Sequence, residues 1–439
     1  MKLKTKLMSL MALSCINMAH GENSTSLNLS TTLQHAIAND PQWAAKVHAH
    51  TANREIRPLA SAGLKPTLKL NAQSSREHYE SDTFGTDSYG LTTYGANLVQ
   101  PLFRLDRWYS YKKGALISQQ KDAEFIQAQL DFYMRVVDVY FGVLSAEENR
   151  RFRRAEKSAI QQQLKQTEQR FNVGLVAEAD VQEARAAFDI SSVQFILAEQ
   201  ALDLALESLN TLTGMPVETI APLKSDIPMA LPLPNDVNSW KTMALDHNPQ
   251  LKAALLNKGA ARRDFQAKTA AHLPSVDLFG NYQNSDRYIP TTQGEMESNS
   301  VGIKVEMPLY AGGAVSASRR QSKQVSLQAE DEFQFIERDI IQKTNNLYRV
   351  VSSDVARVAA QKQSIRSATA AYEASKIGYK TGTRTIVDLL TAQQALFSVK
   401  RDYANARFEY IFDSLKLKQV AGVLSEKDIN DINNWLENR

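Results

Sequence analysis

The sequence has almost no cysteine: Cys15 stands alone among 439 residues. Beyond it the chain can form no disulfide and offers no thiolate nucleophile or sulfur ligand. Long hydrophobic runs are missing too. After residue 20 no apolar stretch reaches membrane-helix length, and with 23% charged residues and a mean hydropathy of −0.36, helical membrane spans are excluded. Lys2, Lys4 and Lys6 precede an apolar core from Leu7 to Ile16 and the small-x-small pattern Ala19-His20-Gly21, so residues 1–21 read as a secretory signal peptide. Lipidation at Cys15 is the weaker reading, because Ala12 stands where a bacterial lipobox has leucine. Removing 1–21 takes away three lysines and no acid, leaving 48 residues of each sign. That neutrality argues against a nucleic-acid partner. No Ser/His/Asp grouping, paired-carboxylate spacing or metal-ligand spacing stands out, so an enzyme reading has no residue support.

What the chain does have is a repeat. Pro41 and Pro249, Pro66 and Pro274, Gly174 and Gly382, and Gly214 and Gly422 are each 208 residues apart, while Pro101 and Pro308 are 207 apart. A spacing held over nearly the whole chain means a duplicated unit of about 200 residues. The first unit, 22–213, is read as a half-length helix over 31–63, a strand hairpin over 66–101, a long helix over 103–171 and a returning half-helix over 178–213. The second, 239–421, repeats this order as 239–272, 274–308, 310–379 and 386–421. Between them, residues 214–238 carry Pro216, Pro222, Pro228, Pro232 and Pro234 and form a linker around the middle of the long helices. The tail, 422–439, falls at the same level by the repeat.

The strand signal is clearest where Val301, Ile303, Val305 and Met307 alternate with Gly302, Lys304 and Glu306. SDTFGTDS (81–88) reads as a hairpin loop, and Tyr79, Tyr89, Tyr282 and Tyr288 stand near loop ends, where a membrane barrel carries interfacial aromatics. The return helices carry a heptad seam, Val181, Ala184, Phe188, Ser191, Phe195 and onward, matched by Leu389, Ala392, Leu396, Val399, Tyr403 and onward with one polar intruder, Asp413. A seam of two apolar residues per heptad predicts coiled-coil packing. Lengths agree with this: a return helix of 36 residues and a half-helix of 33 together match the 69 of the long helix, roughly 100 Å.

Four strands cannot close a transmembrane barrel, whose smallest form has about eight, and open edges are not tolerated in lipid. Two copies would supply eight strands and fill the interior with side chains; three would supply twelve and leave a pore, so at least three copies are favoured. The competing reading is a soluble periplasmic coiled-coil adaptor or scaffold without a pore.

The stretches TEQRFNVGLVAEADVQEARA (167–186) and YKTGTRTIVDLL (379–390) resemble the TolC-like outer-membrane efflux and secretion channels of Gram-negative bacteria, and the resemblance covers the whole mature chain. It implies a mainly α fold with a small β part: a homotrimer with a 12-helix periplasmic coiled-coil barrel continued by a shared 12-stranded transmembrane β-barrel. It further implies an outer-membrane duct for drugs, toxic small molecules or proteins, with no cofactor and no catalysis. The implied partners are a periplasmic adaptor protein, an inner-membrane transporter of RND, ABC or MFS type, and outer-membrane lipid.

Several residues take roles from the resemblance. Asp388, repeated by threefold symmetry, would form an acidic constriction at the tunnel mouth. Where the family often has a second aspartate this chain has Thr391, so at most weak cation binding is expected and no metal site. Tyr379 and Arg384 would clasp the second hairpin to Asp180 on the first, with Ala179 standing where the family pattern has a hydroxyl residue. Val173, Gly174 and Leu175, with Thr381, Gly382 and Thr383, would be the exposed tips for adaptor docking.

Overall fold

The computed structural model describes residues 27–82, 85–224, 226–289 and 292–437; the expected signal peptide and Cys15 lie outside them. In chain order the elements are α1 (Leu29–Asn39), α2 (Pro41–Asn53), α3 (Ile56–Ala62), β1 (Thr67–Ser81), β2 (Gly85–Phe103), α4 (Leu105–Asn172) and α5 (Glu178–Thr213). Then follow α6 (Val237–His247), α7 (Pro249–Ala270), β3 (Ser275–Ile289), β4 (Thr292–Glu306), α8 (Ala314–Thr381), α9 (Ile386–Val420) and α10 (Glu426–Asn433). The two long helices have 68 residues each, about 100 Å of rise.

The half-helices 31–63 and 239–272 are broken, against expectation. The cause is local. Asp40 and Asn248 have extended backbones and cap the next helix with their side chains, and the proline that follows each occupies the first helical position. Pro41 and Pro249 therefore mark both the repeat and a helix break; a second break in the first unit, at Arg54 and Glu55 between α2 and α3, has no counterpart in α7. The breaks at Pro41 and Pro249 receive the ends of the return helices: the Asn39 amide donates to the Thr213 carbonyl and the Asn248 amide to the Val420 carbonyl, both at 2.8 Å. α5 thus abuts the α1–α2 junction, and α9 the α6–α7 junction. α7 lies between α4 and α8, so the units interleave rather than standing apart.

The sheet has the order β1-β2-β3-β4, all antiparallel. Its ladder runs on to Ser81 opposite Gly85, so the strands extend well into the stretch expected as loop. Register puts Leu68 opposite Leu98, Leu98 opposite Gly280 and Gly280 opposite Val301. One face therefore carries Leu68, Leu70, Leu98, Leu278, Val301 and Ile303, and the other Lys69, Asn71, Asn97, Asn281 and Lys304. Tyr282 falls on the apolar face beside Ala96, and Tyr94 joins it there, whereas Tyr89 falls on the polar face. The side chains of Tyr79 and Tyr288 lie outside the described set. β1 and β4 are open edges within the chain.

The core gathers halfway along the long helices. Val136, Val137 and Tyr140 of α4 pack with Trp240, Ile411 and Leu415, with Ala221 and Ile227 of the linker, and with Ile429, Ile432 and Leu436 of the tail. The buried Tyr140 hydroxyl donates to the Ala221 carbonyl at 3.0 Å, which ties the linker to α4. Linker and tail are joined by a bridge between Leu223 and Leu436.

Candidate functional site at the helix-hairpin tips

Both long helices end in the same way. Gly174 and Gly382 have φ of +75° and +76°, where any other residue is strained. One residue later a backbone N–H turns back onto the helix: Leu175 donates to Arg170 O and Thr383 to Gly378 O, each at 2.9 Å. These are the reversed hydrogen bonds of a Schellman ending. Val173 and Leu175 stand 69% and 66% exposed at the first tip. The second tip carries hydroxyls instead, with Thr381 and Thr383 both donating to the Gly378 carbonyl at 3.1 and 3.2 Å.

The return helices start differently. α5 has Ala177 at its N-cap and no side-chain cap. α9 has Thr385, whose backbone N–H and hydroxyl both donate to Asp388 Oδ2 at 2.9 Å, while the Asp388 N–H donates to the Thr385 hydroxyl at 3.2 Å. This reciprocal box fixes the Asp388 carboxylate. The hydrogen bonds from Thr385, backbone first, hold it below the usual carboxylate range, so it stays charged.

Tyr379 does not meet Asp180. Its ring is 7% exposed, packed with Ile160, Ala184, Ile386, Leu389 and Leu390. Its hydroxyl lies 3.3 Å from Thr167 Oγ1 on α4. Because Thr167 gives its own proton to the Gln163 carbonyl at 3.0 Å, Tyr379 is the donor. The Arg170 guanidinium lies 4.8 Å from the ring centroid, a cation–π contact. Asp180 has no side-chain hydrogen bond or ion pair among the described residues. Arg384 folds back over Gly378, where a Cβ would come 2.5 Å from its Cγ. Within one protomer the contacts of Tyr379 across to α4 are therefore with Thr167 and Arg170, neither of which the sequence singles out. They sit three apart on α4, one and two turns beyond the apolar Leu164, so their spacing marks one helix face.

Beside these contacts runs a groove of about 560 Å³ lined in part by Arg170, Val173, Leu175, Lys376 and Tyr379. Among the described residues no cluster of acids, histidines or cysteines could hold a metal ion within one protomer.

The sequence family described as outer membrane efflux protein matches residues 32–215 and 240–423, two segments again displaced by 208. The chain belongs to that family. The outer membrane protein TolC of Vibrio cholerae serotype O1 is similar to it at 31% identity over 419 residues, 93% of this chain and 94% of that protein. The alkaline protease secretion protein AprF of Pseudomonas aeruginosa is 28% identical over 421 residues, 93% of this chain and 87% of its own length. Among solved structures, the outer membrane protein VceC from Vibrio cholerae has a TM-score of 0.78 at 17% identity, covering 90% of this chain and 96% of its own. The Campylobacter jejuni CmeC outer membrane channel has a TM-score of 0.77 at 16% identity, covering 99% and 98%.

Membership of the outer membrane efflux proteins sets aside the soluble scaffold. The protein is a passive outer-membrane exit duct and not an enzyme. Channels of this kind are homotrimeric and work with efflux or secretion systems. The open edges of β1 and β4 are then closed by neighbouring copies, with the apolar sheet face toward lipid.

Proposed function

We propose that the duct is gated at its periplasmic tips and receives cargo there from an inner-membrane transporter of RND, ABC or MFS type through a periplasmic adaptor. The observation that carries this reading is the contrast between the two tips and the clasp behind them. A sealed apolar cluster around Tyr379 joins the two hairpins, while Val173 and Leu175 beside it stay exposed. Three copies of Asp388, each fixed by Thr385, form the constriction and keep its field negative, which favours cations at the mouth. Cargo is drugs, toxic small molecules or secreted proteins. The relative named for alkaline protease secretion and the matching family of outer membrane efflux proteins lend support to both classes.

Single-channel recording in planar bilayers tests the gate. Wild type gives a small conductance, lowered by added trivalent cation, and Asp388→Ala abolishes that block. Conductance insensitive to cation in both proteins refutes the acidic constriction. For docking, Gly174→Trp is expected to abolish drug efflux in cells while leaving the amount of trimer unchanged; normal efflux from that variant refutes the docking role of the first tip.

A further inference from the structure

The seam of α9 is interrupted once, at Asp413, and the facing helix meets the interruption with another acid. Asp354 of α8 is only 4% exposed. Its Oδ1 accepts from the Arg357 guanidinium at 2.8 Å, but its Oδ2 is buried with no donor among the described residues. Arg357 also pairs with Glu409 across the seam, and Asp413 lies one turn on from Glu409 along α9, so its carboxyl is brought to the side of Asp354, where each acts on the other. Two carboxylates have no proton between them and cannot bond; with one proton, the pair becomes an O–H donor facing an acceptor. The main charges acting on the two come from the same two helices, Arg357 from α8 and Glu409 and Lys416 from α9. Arg357 is divided between Asp354 and Glu409, so it leaves the acids in excess.

We propose that Asp354 and Asp413 share one proton across the α8–α9 seam and make this helix pair a joint that tightens in acid. Asp354 is the proton holder, since it is the more buried and the one with the orphaned oxygen. Burial pushes it up to about 6, with Asp413 and Glu409 adding to the rise and Arg357 opposing it. The folded value lies above that of an unfolded carboxyl. The stabilising contribution is therefore complete below about pH 4 and is lost as pH climbs through about 6. Outside that window the joint does not respond. The proposal does not depend on the tip gate, because Asp354 is buried inside a single protomer with Asp413 half-buried beside it.

Thermal unfolding of the purified full-length trimer in detergent, at about pH 5 and about pH 7.5, reads the joint. Wild type is expected to melt lower at the higher pH. In Asp413→Asn the amide donates to Asp354 whatever its charge, so the melting temperature at about pH 7.5 rises by roughly 2–4 °C and the pH difference shrinks. Asp354→Asn does the same. Infrared difference spectra give a second reading: a protonated-carboxyl carbonyl band titrates near pH 6 in wild type and is missing from Asp354→Asn. An unchanged pH difference in both variants, a lower melting temperature of Asp413→Asn at about pH 7.5, or no such band overturns the shared proton.

Discussion

Removing the hydroxyl pair at the tip should open the duct, and the two single variants should not be equal. The Tyr379 hydroxyl donates to Thr167 across 3.3 Å, and Thr167 in turn donates to its own helix. Tyr379→Phe deletes a neutral hydrogen bond worth about 1 kcal/mol and leaves Thr167 satisfied. Thr167→Val instead strands a buried tyrosine hydroxyl, at about 1–3 kcal/mol. If three protomers open together, the losses add to about 3 kcal/mol for Tyr379→Phe, or roughly a hundredfold in the closed-to-open ratio, and to more for Thr167→Val. The assay is open probability in planar bilayers for wild type, both single variants and the double. With Phe at 379 already, Thr167→Val should add little, because the hydroxyl it would strand is gone. Additive effects, or a Thr167→Val channel that opens no more than wild type while Tyr379→Phe does, would show that Tyr379 is held by something other than Thr167.

Thr385→Ala removes the hydroxyl donor to Asp388 and leaves the backbone N–H, so part of what holds the carboxyl low is lost and cation block should lose its effect at a somewhat higher pH than in wild type as the solution is acidified; comparison of block against pH in the two proteins checks this. The sign follows from a depressed carboxyl, which is charged above its value and neutral below it. On the sheet, Ile303→Arg places a charge on the lipid-facing side, where the cost reaches about 2–4 kcal/mol at the bilayer midplane and falls toward the interfaces, and trimer yield in the outer membrane should fall, whereas Asn281→Arg on the other face should assemble. Gly422→Ala should lower the melting temperature more than Gly174→Ala. Both residues have positive φ, but a Cβ at 422 would come 2.4 Å from the His247 carbonyl oxygen while one at 174 meets nothing within 4 Å.

The overall plan was readable because its signals are long and repeated. A helix of 68 residues, a heptad seam and a displacement of 208 leave many positions that must agree. The breaks at Asp40-Pro41 and Asn248-Pro249 were visible as prolines but not as breaks, since length alone suggested continuous half-helices; the capping residue before each proline was the missed sign. The interfacial tyrosines were assigned by nearness to loops. Facing is set by register instead, which placed Tyr94 beside Tyr282 and turned Tyr89 inward. At the tips, the glycines and the Thr385–Asp388 box follow from local sequence. The partner of Tyr379 does not, because it depends on how α8 is rotated against α4, and a contact 212 residues away in sequence is set by the packing of Ile386, Leu389 and Ile160 around the ring.

The amide junctions at Thr213 and Val420 have a mechanical consequence. α4 and α8 run unbroken from sheet to tip, but the columns beside them are jointed: α5 meets α2, and α9 meets α7, end to end at the central core, and the first column has a further break between α2 and α3. A rod held at one end is a lever. α5, with 36 residues, has an arm of about 54 Å from this fulcrum to the tip. Displacing its far end by about 10 Å needs a tilt of only about 10°, too small to break many seam contacts at once. Because the upper rods are separate pieces, that tilt ends at the junction and is not passed on to the strands. Motion at the periplasmic mouth and rigidity in the membrane can therefore coexist in one chain.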